Sequence, residues 1–290
     1  MNNKIVLCTI WRNELKSALE WIAYHLNLGF DEIYIYDNFS DDGSRELLSI
    51  LHKSGLINHV IWDYKENGSP QVSAYKHAAD QVREDADWII YIDADEFLVP
   101  YNHDNVHELL LDVIGNDQNI SAITFNWKTF GSNGHSEYIP ALVMDRFLMC
   151  REGTLSPNNT VKSMVKLKNL VNPHIHIHEI SSGRYVNDAS EDAIIYGNGM
   201  LRNPSFKQAQ INHYMVKSKQ EFYEKKLKGN ANYAEYSPAR FDRIDDDYFK
   251  RFDINEVKDE NILRFKIRTH DRILMLREIL LINGFDRIGI

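Results

Sequence analysis

The chain has 290 residues, 43% of them hydrophobic and 26% charged, and a formal net charge of −9 at pH 7. That length and composition suit one large α/β domain with a buried core, and the acid excess excludes a general nucleic-acid binder, which would carry a basic footprint. Two cysteines, Cys8 and Cys150, exclude a disulfide framework or a cysteine-rich zinc site and fit a reducing compartment. The N-terminal apolar run is too short for a signal peptide, and no segment reaches the roughly 18–20 apolar residues of a membrane span.

Ile5 to Ile10 reads as a first buried strand, followed by the polar turn Trp11-Arg12-Asn13-Glu14. Leu15, Leu19, Ile22, Ala23 and Leu26 recur at helical spacing and predict a helix over 15–28, with Gly29 as its C-cap. Glu32 to Tyr36 is a second strand, and Asp37-Asn38-Phe39-Ser40-Asp41-Asp42-Gly43 is the turn-rich loop after it. A helix over 44–54, a strand over 59–62 and a helix over 71–83 come next, and then the run Trp88-Ile89-Ile90-Tyr91-Ile92. Strand alternating with helix over about 95 residues predicts a parallel, right-handed, doubly wound sheet.

The run at 88–92 ends in Asp93-Ala94-Asp95-Glu96, three acids within four residues. A continuous apolar strand is covered on both faces, and ligands of open α/β sheets sit outside the carboxyl ends of such strands. In extended backbone, Asp93 and Asp95 leave the same face. Two carboxylates there make an oxygen site suited to Mg²⁺ or Mn²⁺ shared with substrate phosphates. An acidic turn capping the next helix is the competing reading. No Gly-x-Gly-x-x-Gly follows the first strand, which weakens a dinucleotide reading. The strand ends carry instead Thr9, Arg12, Asn13 and Glu14, then Asp37, Asn38 and Ser40. These are groups able to hydrogen-bond a base and ribose, although Asp, Asn and Ser are also preferred helix caps.

The alternation then loosens. Strands are expected at 121–127, 162–167 and 210–215, with a glycine-bearing loop over 128–135. His174-Ile175-His176-Ile177-His178-Glu179 alternates with period two, so in a strand the three imidazoles share one face. That face reads first as solvated, second as pocket lining and third as a zinc site. A basic amphipathic helix is expected over 218–228, an acidic turn over 242–247 and a long terminal helix over 262–282.

Several stretches together resemble a GT-A-fold glycosyltransferase of the group around families 2 and 92, in its bacterial branch. They are Arg12-Asn13-Glu14, Glu20 to Leu26, Tyr34 to Asn38 with Ser40-Asp41-Asp42, Asp93 to Phe97, Trp127 with Phe130-Gly131-Ser132 and Gly134-His135, Lys162-Ser163, and Asn212-His213-Tyr214 with Lys217-Ser218. The resemblance implies a mostly parallel, Rossmann-like GT-A sheet flanked by helices, with a C-terminal helical extension. Expected boundaries are a catalytic domain over 1–215, its nucleotide-sugar half about 1–100 and its acceptor half about 101–215, and an extension over 216–290. It further implies a metal-dependent, inverting transfer of a sugar from a nucleotide diphosphate, a UDP-sugar with UDP-galactose as one candidate, to a hydroxyl of a glycan or lipid-linked glycan. The His-rich run departs from the group's pattern.

Such chemistry needs the leaving diphosphate neutralised, the acceptor deprotonated and water shut out. A divalent cation serves the first need, with Asp95 as its principal ligand, Asp93 helping and His213 third. The donor-binding set expected is Thr9, Arg12, Asn13, Glu14, Asp37, Asn38, Tyr75, Asp93, Ala94, Lys162 and Lys217. Trp127, Phe130 and Gly131 are expected on the acceptor side. Candidate bases are Glu179, His178, His135 and Glu96. The expected setting is the cytoplasmic face of a bacterial surface-polysaccharide pathway. A peripheral membrane contact through 217–228 or the terminal helix is one reading of those segments, a partner helix or core packing the others. The competing functions are an inactive carbohydrate-binding or interaction module of the same fold, and a nucleotidyltransferase on a related sheet.

Overall fold

A computed structural model of the chain describes residues 3–229, 231, 233, 237–238 and 245–287. In chain order the strands that build its main sheet are β1 (Ile5–Trp11), β2 (Glu32–Asp37), β3 (Asn58–Ile61), β4 (Trp88–Tyr91), β5 (Glu96–Pro100), β6 (Ile120–Thr129), β7 (Val161–Lys166), β8 (Arg184–Asn187) and β9 (Ala209–His213). The helices are α1 (Leu15–Leu28), α2 (Ser44–Lys53), α3 (Pro70–Val82), α4 (Val106–Ile114), the single turn α5 (Val143–Arg146), α6 (Lys219–Lys228), α7 (Asp246–Phe252) and α8 (Lys266–Ile282).

The strands lie in the order β3-β2-β1-β4-β7-β6-β9-β5, with β8 beside the first half of β6 and β9 beside its second half. β1, β2, β3 and β4 pair in parallel, as do β8 and β9 with β6. β7 is antiparallel to both β4 and β6, and β5 is antiparallel to β9. The expected α/β class, a mostly parallel sheet between helices, therefore holds.

Every residue of β1 is buried, because the strand is covered on both faces. Ile5, Leu7 and Trp11 pack into the layer of α1, α2 and α8, while Val6, Cys8 and Ile10 pack into that of α3. Helix α1 ends where Gly29 takes a left-handed backbone (φ 85°) and returns its N–H to the Leu26 carbonyl at 3.2 Å, a conformation that glycine adopts without a Cβ clash. The side chains of α1 brace β5 and α5. The Trp21 indole donates to the Glu96 carbonyl (2.9 Å), the Tyr24 hydroxyl to the Leu98 carbonyl (2.7 Å), and the Glu20 carboxylate accepts the Val143 and Met144 N–H groups (2.6 and 2.9 Å). Helix α8 lies on α1, burying Ile273, Leu276 and Leu280 and exchanging hydrogen bonds with Asn27 through Arg268 and Arg272. Among the described residues no helix is long and apolar enough to cross a membrane.

One expectation fails here and another is met only in part by described residues. His174 to His178 is not a strand but a bend between the short pair Leu170–Asn172 and Glu179–Ile180. The His174 N–H donates to His178 Nδ1 at 3.1 Å, so the imidazoles do not share one strand face and do not form a three-histidine metal site. The expected acidic turn over 242–247 falls partly outside the described residues; Asp245 instead caps α7 by accepting the Tyr248 N–H at 2.7 Å.

Candidate active site

β4 ends at Tyr91, and the Ile92 N–H still donates to the Cys8 carbonyl of β1 at 3.2 Å. The chain then turns. The Glu96 N–H donates to the Asp93 carbonyl at 3.0 Å, and the Glu96 carboxylate accepts the Asp93 N–H at 2.7 Å. The acids therefore occupy a closed turn rather than the extended backbone expected, yet both Asp93 and Asp95 reach one cavity. That cavity, about 490 Å³, lies outside the carboxyl ends of β1, β4 and β9, and Arg12, Glu14, Gln71, Trp127, His176, His213, Lys225 and Lys228 also line it.

Asp93 is held from within. Its Oδ1 accepts from Gln71 Nε2 (2.7 Å) and the Tyr75 hydroxyl (3.3 Å), and its Oδ2 accepts from Lys162 Nζ (3.1 Å). Lys162 comes from β7, is fully buried, and also lies 3.5 Å from Glu96 Oε2. Burial opposes the charge on Asp93, but the lysine outweighs it and keeps the carboxyl below its usual range. Glu96 has no exposure and less help, so burial pushes its carboxyl up to about 7.

Asp95 faces the cavity. The Lys225 ammonium of α6 sits on its Oδ2, and His213 Nε2 lies 3.7 Å from its Oδ1. Burial again works against ionisation, yet these two neighbours hold the carboxyl well below its ordinary range. His213 stands opposite Glu96 across the β9–β5 pairing, with its ring 4.2 Å from Trp127. Its Nδ1 is buried with no hydrogen-bond partner among the described residues.

The donor set fits a hard divalent cation that takes the rest of its shell from a ligand. Among the described residues no three His, Cys, Asp or Glu side chains close around one point, so this is no all-protein cage. A carboxylate facing the cavity, a second beside it and a nearby imidazole match the partial shell that Mg²⁺ or Mn²⁺ completes with phosphates and water. The ammonium on Asp95 shows that the position accepts positive charge.

Of the other residues expected to bind donor, Arg12, Glu14 and Ala94 line the cavity. Tyr75 and Lys162 stand behind it as partners of Asp93. Asn13 and Lys217, both with left-handed backbone, line a second cavity of about 510 Å³ on the other side of α6. Thr9, Asp37 and Asn38 line neither cavity. Asp37 is fully buried, accepting the Ser40 N–H and pairing with Arg45, and the Asn38 amide donates to the Trp62 carbonyl at 2.8 Å. These contacts of Asp37 and Asn38 brace the loop after β2, and neither residue caps α2.

On the acceptor side only Trp127 reaches the cavity. Phe130 is core, 4.8 Å from Tyr214. A Cβ at Gly131 would meet Asn255 and the Ile254 carbonyl at 2.5–2.6 Å, so that glycine serves close packing rather than an open wall. None of the four candidate bases lines either cavity. Glu179 is exposed and bonded to Asn172, His178 is buried against Tyr91 and the Ser163 carbonyl, and the His135 ring packs against Phe147. Glu96 underlies the turn. Gln71, Lys225 and Lys228 were not singled out by sequence, and only the basic character of 218–228 signalled the lysines; for His176 the structure matches the second of the three readings, pocket lining.

The fold sets a cavity of about 490 Å³ over paired acids at the carboxyl ends of its strands. The chain belongs to glycosyltransferase family 92, whose model matches residues 6–252. A family 92 protein of Oryza sativa subsp. japonica is 29% identical over 231 residues, covering 77% of this chain and 35% of that protein. One of Ricinus communis is 25% identical over 236 residues, covering 80% and 39%. The chain thus spans under two fifths of the length of these relatives. Both are plant proteins and lend nothing to the expected bacterial branch. Among solved structures, glucosyl-3-phosphoglycerate synthase from Mycobacterium tuberculosis, in complex with Mn²⁺, UDP-glucose and phosphoglyceric acid, is similar with a TM-score of 0.35 and 14% identity, covering 58% of each chain.

Proposed function

We propose that this chain works as a GT-A enzyme, transferring a sugar from a UDP-sugar, UDP-galactose being one candidate, to a hydroxyl of a glycan with inversion. The observation that carries the reading is the turn at 93–96, which places Asp93 and Asp95 in one cavity with Lys225 and His213 beside Asp95. Asp95 and His213 would hold a divalent cation, with Asp93 beside them. When bound, that ion supplies charge neutralisation to a leaving diphosphate. Arg12 and Gln71 flank the donor space, and the Trp127 ring offers an apolar face to a sugar.

His176 takes the role of proton acceptor. The Val161 carbonyl lies 2.9 Å from its Nδ1, which fixes the proton on that nitrogen and leaves the Nε2 lone pair. Burial lowers its pKa to about 4, so the ring is neutral at pH 7. The acceptor as a bacterial surface polysaccharide or lipid-linked glycan and work in the cytoplasm belong to this proposal, as does a peripheral membrane contact through the basic segment 217–228 or the terminal helix. The test is turnover: purified protein with Mn²⁺, a panel of sugar nucleotides and free glycan acceptors. Release of UDP dependent on one sugar nucleotide supports the reading. Sugar transfer from a nucleotide monophosphate donor alone, or full transfer by Asp95→Ala, contradicts it.

A further inference from the structure

Helix α6 is a partition. Lys225 and Lys228 line both the donor cavity and the second cavity beyond it, together with Arg12, Glu14, Asp95 and Met215. The two ends of α6 are held differently. At its start, Glu221 takes a bidentate, buried pair from Arg146 (2.7 and 3.1 Å) and accepts from Ser218. This is the strong, geometrically specific kind of contact. Further along, the helix is tied by single lysine–carboxylate pairs: Lys16 to Glu224, Lys228 to Glu14 at 2.9 Å, and Lys225 to Asp95. Lys225 is nearly half exposed along its side chain (45%), whereas Asp95 is 12% exposed. A lysine is a mobile point charge on a flexible stem, and exposed pairs of this kind are weak. The Lys225 ammonium, carried on a half-exposed flexible side chain, therefore sits on the Asp95 carboxylate that lines the cavity.

A divalent ion held by Asp95 would compete with this resident monovalent charge and repel it; besides Asp95, the ammonium has a long contact to the Met215 carbonyl at 3.4 Å. The anion that would enter the same cavity is the donor's diphosphate. We propose that Lys225 keeps the cation's place on Asp95 in the metal-free protein and passes from that carboxylate to the donor diphosphate when cation and donor bind. This makes Lys225 a donor-binding residue and makes the free end of α6 the part of the wall that responds to loading. The inference rests on the cation–diphosphate reading of the site.

The test separates two affinities in Lys225→Met, with Lys225→Arg and Lys228→Met as companions, each checked for an unchanged thermal melt. Free Mn²⁺ is followed by electron paramagnetic resonance without nucleotide, and UDP binding by calorimetry at saturating Mn²⁺. Removing the resident charge tightens Mn²⁺ alone in Lys225→Met by roughly three- to fivefold, the worth of a weak pair. The same variant weakens UDP by about tenfold or more, the worth of a charge-assisted hydrogen bond. Lys225→Arg restores the UDP affinity, and Lys228→Met, whose pair with Glu14 does not involve Asp95, leaves the Mn²⁺ affinity in place. Equal Mn²⁺ affinity in wild type and Lys225→Met, or undiminished UDP affinity in that variant, overturns the role of Lys225 while leaving the site's function standing. No Mn²⁺ binding to the wild type overturns the reading of the site, and the proposal with it.

Discussion

Lys162 Nζ lies 3.1 Å from Asp93 Oδ2 with the lysine side chain wholly shut off from solvent. The contact exists because β7 enters the sheet antiparallel between β4 and β6. A strand from the second half of the chain thereby delivers its charge beneath the acids that close the first half. Lys162→Met leaves Asp93 and Glu96 facing each other without a cation. Removing one partner of a buried pair costs about 3 kcal/mol or more, and urea unfolding of the variant reads it. Proton uptake by Glu96, already displaced toward neutral pH, absorbs part of the repulsion, so the loss is smaller at pH 6 than at pH 8. A loss under about 1 kcal/mol, the value of an exposed pair, would contradict this placement.

His25 supplies a pH prediction. The ring is fully buried among Trp21, Tyr24, Phe30 and Phe97, and burial depresses its pKa to about 3. Between an unfolded value of about 6.5 and that folded value, the unfolded chain binds the extra proton. The stability this group contributes is complete above pH 6.5 and is lost progressively as pH falls toward 3. Stability measured against pH has an acid limb in that window, and His25→Phe, which keeps a ring in an aromatic site, flattens it. An unchanged limb would return the titration to other groups.

His176→Phe tests the proton acceptor. The Phe ring preserves packing beside Trp127, whose centroid is 5.4 Å away, but has no lone pair. The turnover rate falls about a hundredfold while UDP affinity stays within a factor of about two, since no donor contact is assigned to this ring. A loss seen only in KM for the donor would make His176 a binding residue instead.

The first four strands, α1 to α3 and the Gly29 cap were legible because period-two and helical patterns there agree with turn chemistry. The box Glu20 to Leu26 was legible as a unit, and its physical reason lies in the tertiary contacts: Glu20, Trp21 and Tyr24 each send a polar atom to the backbone of α5 or β5. β5 was hidden inside the acidic box, since Glu96-Phe97 reads as a continuation of the turn. The place of β7 between β4 and β6 was not readable, because local pattern says nothing of which distant strand inserts. The same limit applied to the site. Asp93, Asp95 and His213 were found from residue type and strand ends, whereas Gln71, Lys225 and Lys228 depend on how α3 and α6 come to rest. The His174–His178 alternation misled because Pro173 and the contacts of His176 with Val161 and of His178 with Ser163 favour a bend over a ladder.

The central claim is that Asp95 joins a divalent cation to a donor diphosphate. Calorimetric titration of UDP into the intact chain, with Mn²⁺ and again with EDTA, for wild type and Asp95→Ala, addresses this most directly. The expected result is UDP binding to the wild type with Mn²⁺, at least about tenfold weaker binding in EDTA, and the same weakening in Asp95→Ala under either condition with its thermal melt unchanged. UDP binding of equal strength in all four titrations would contradict it.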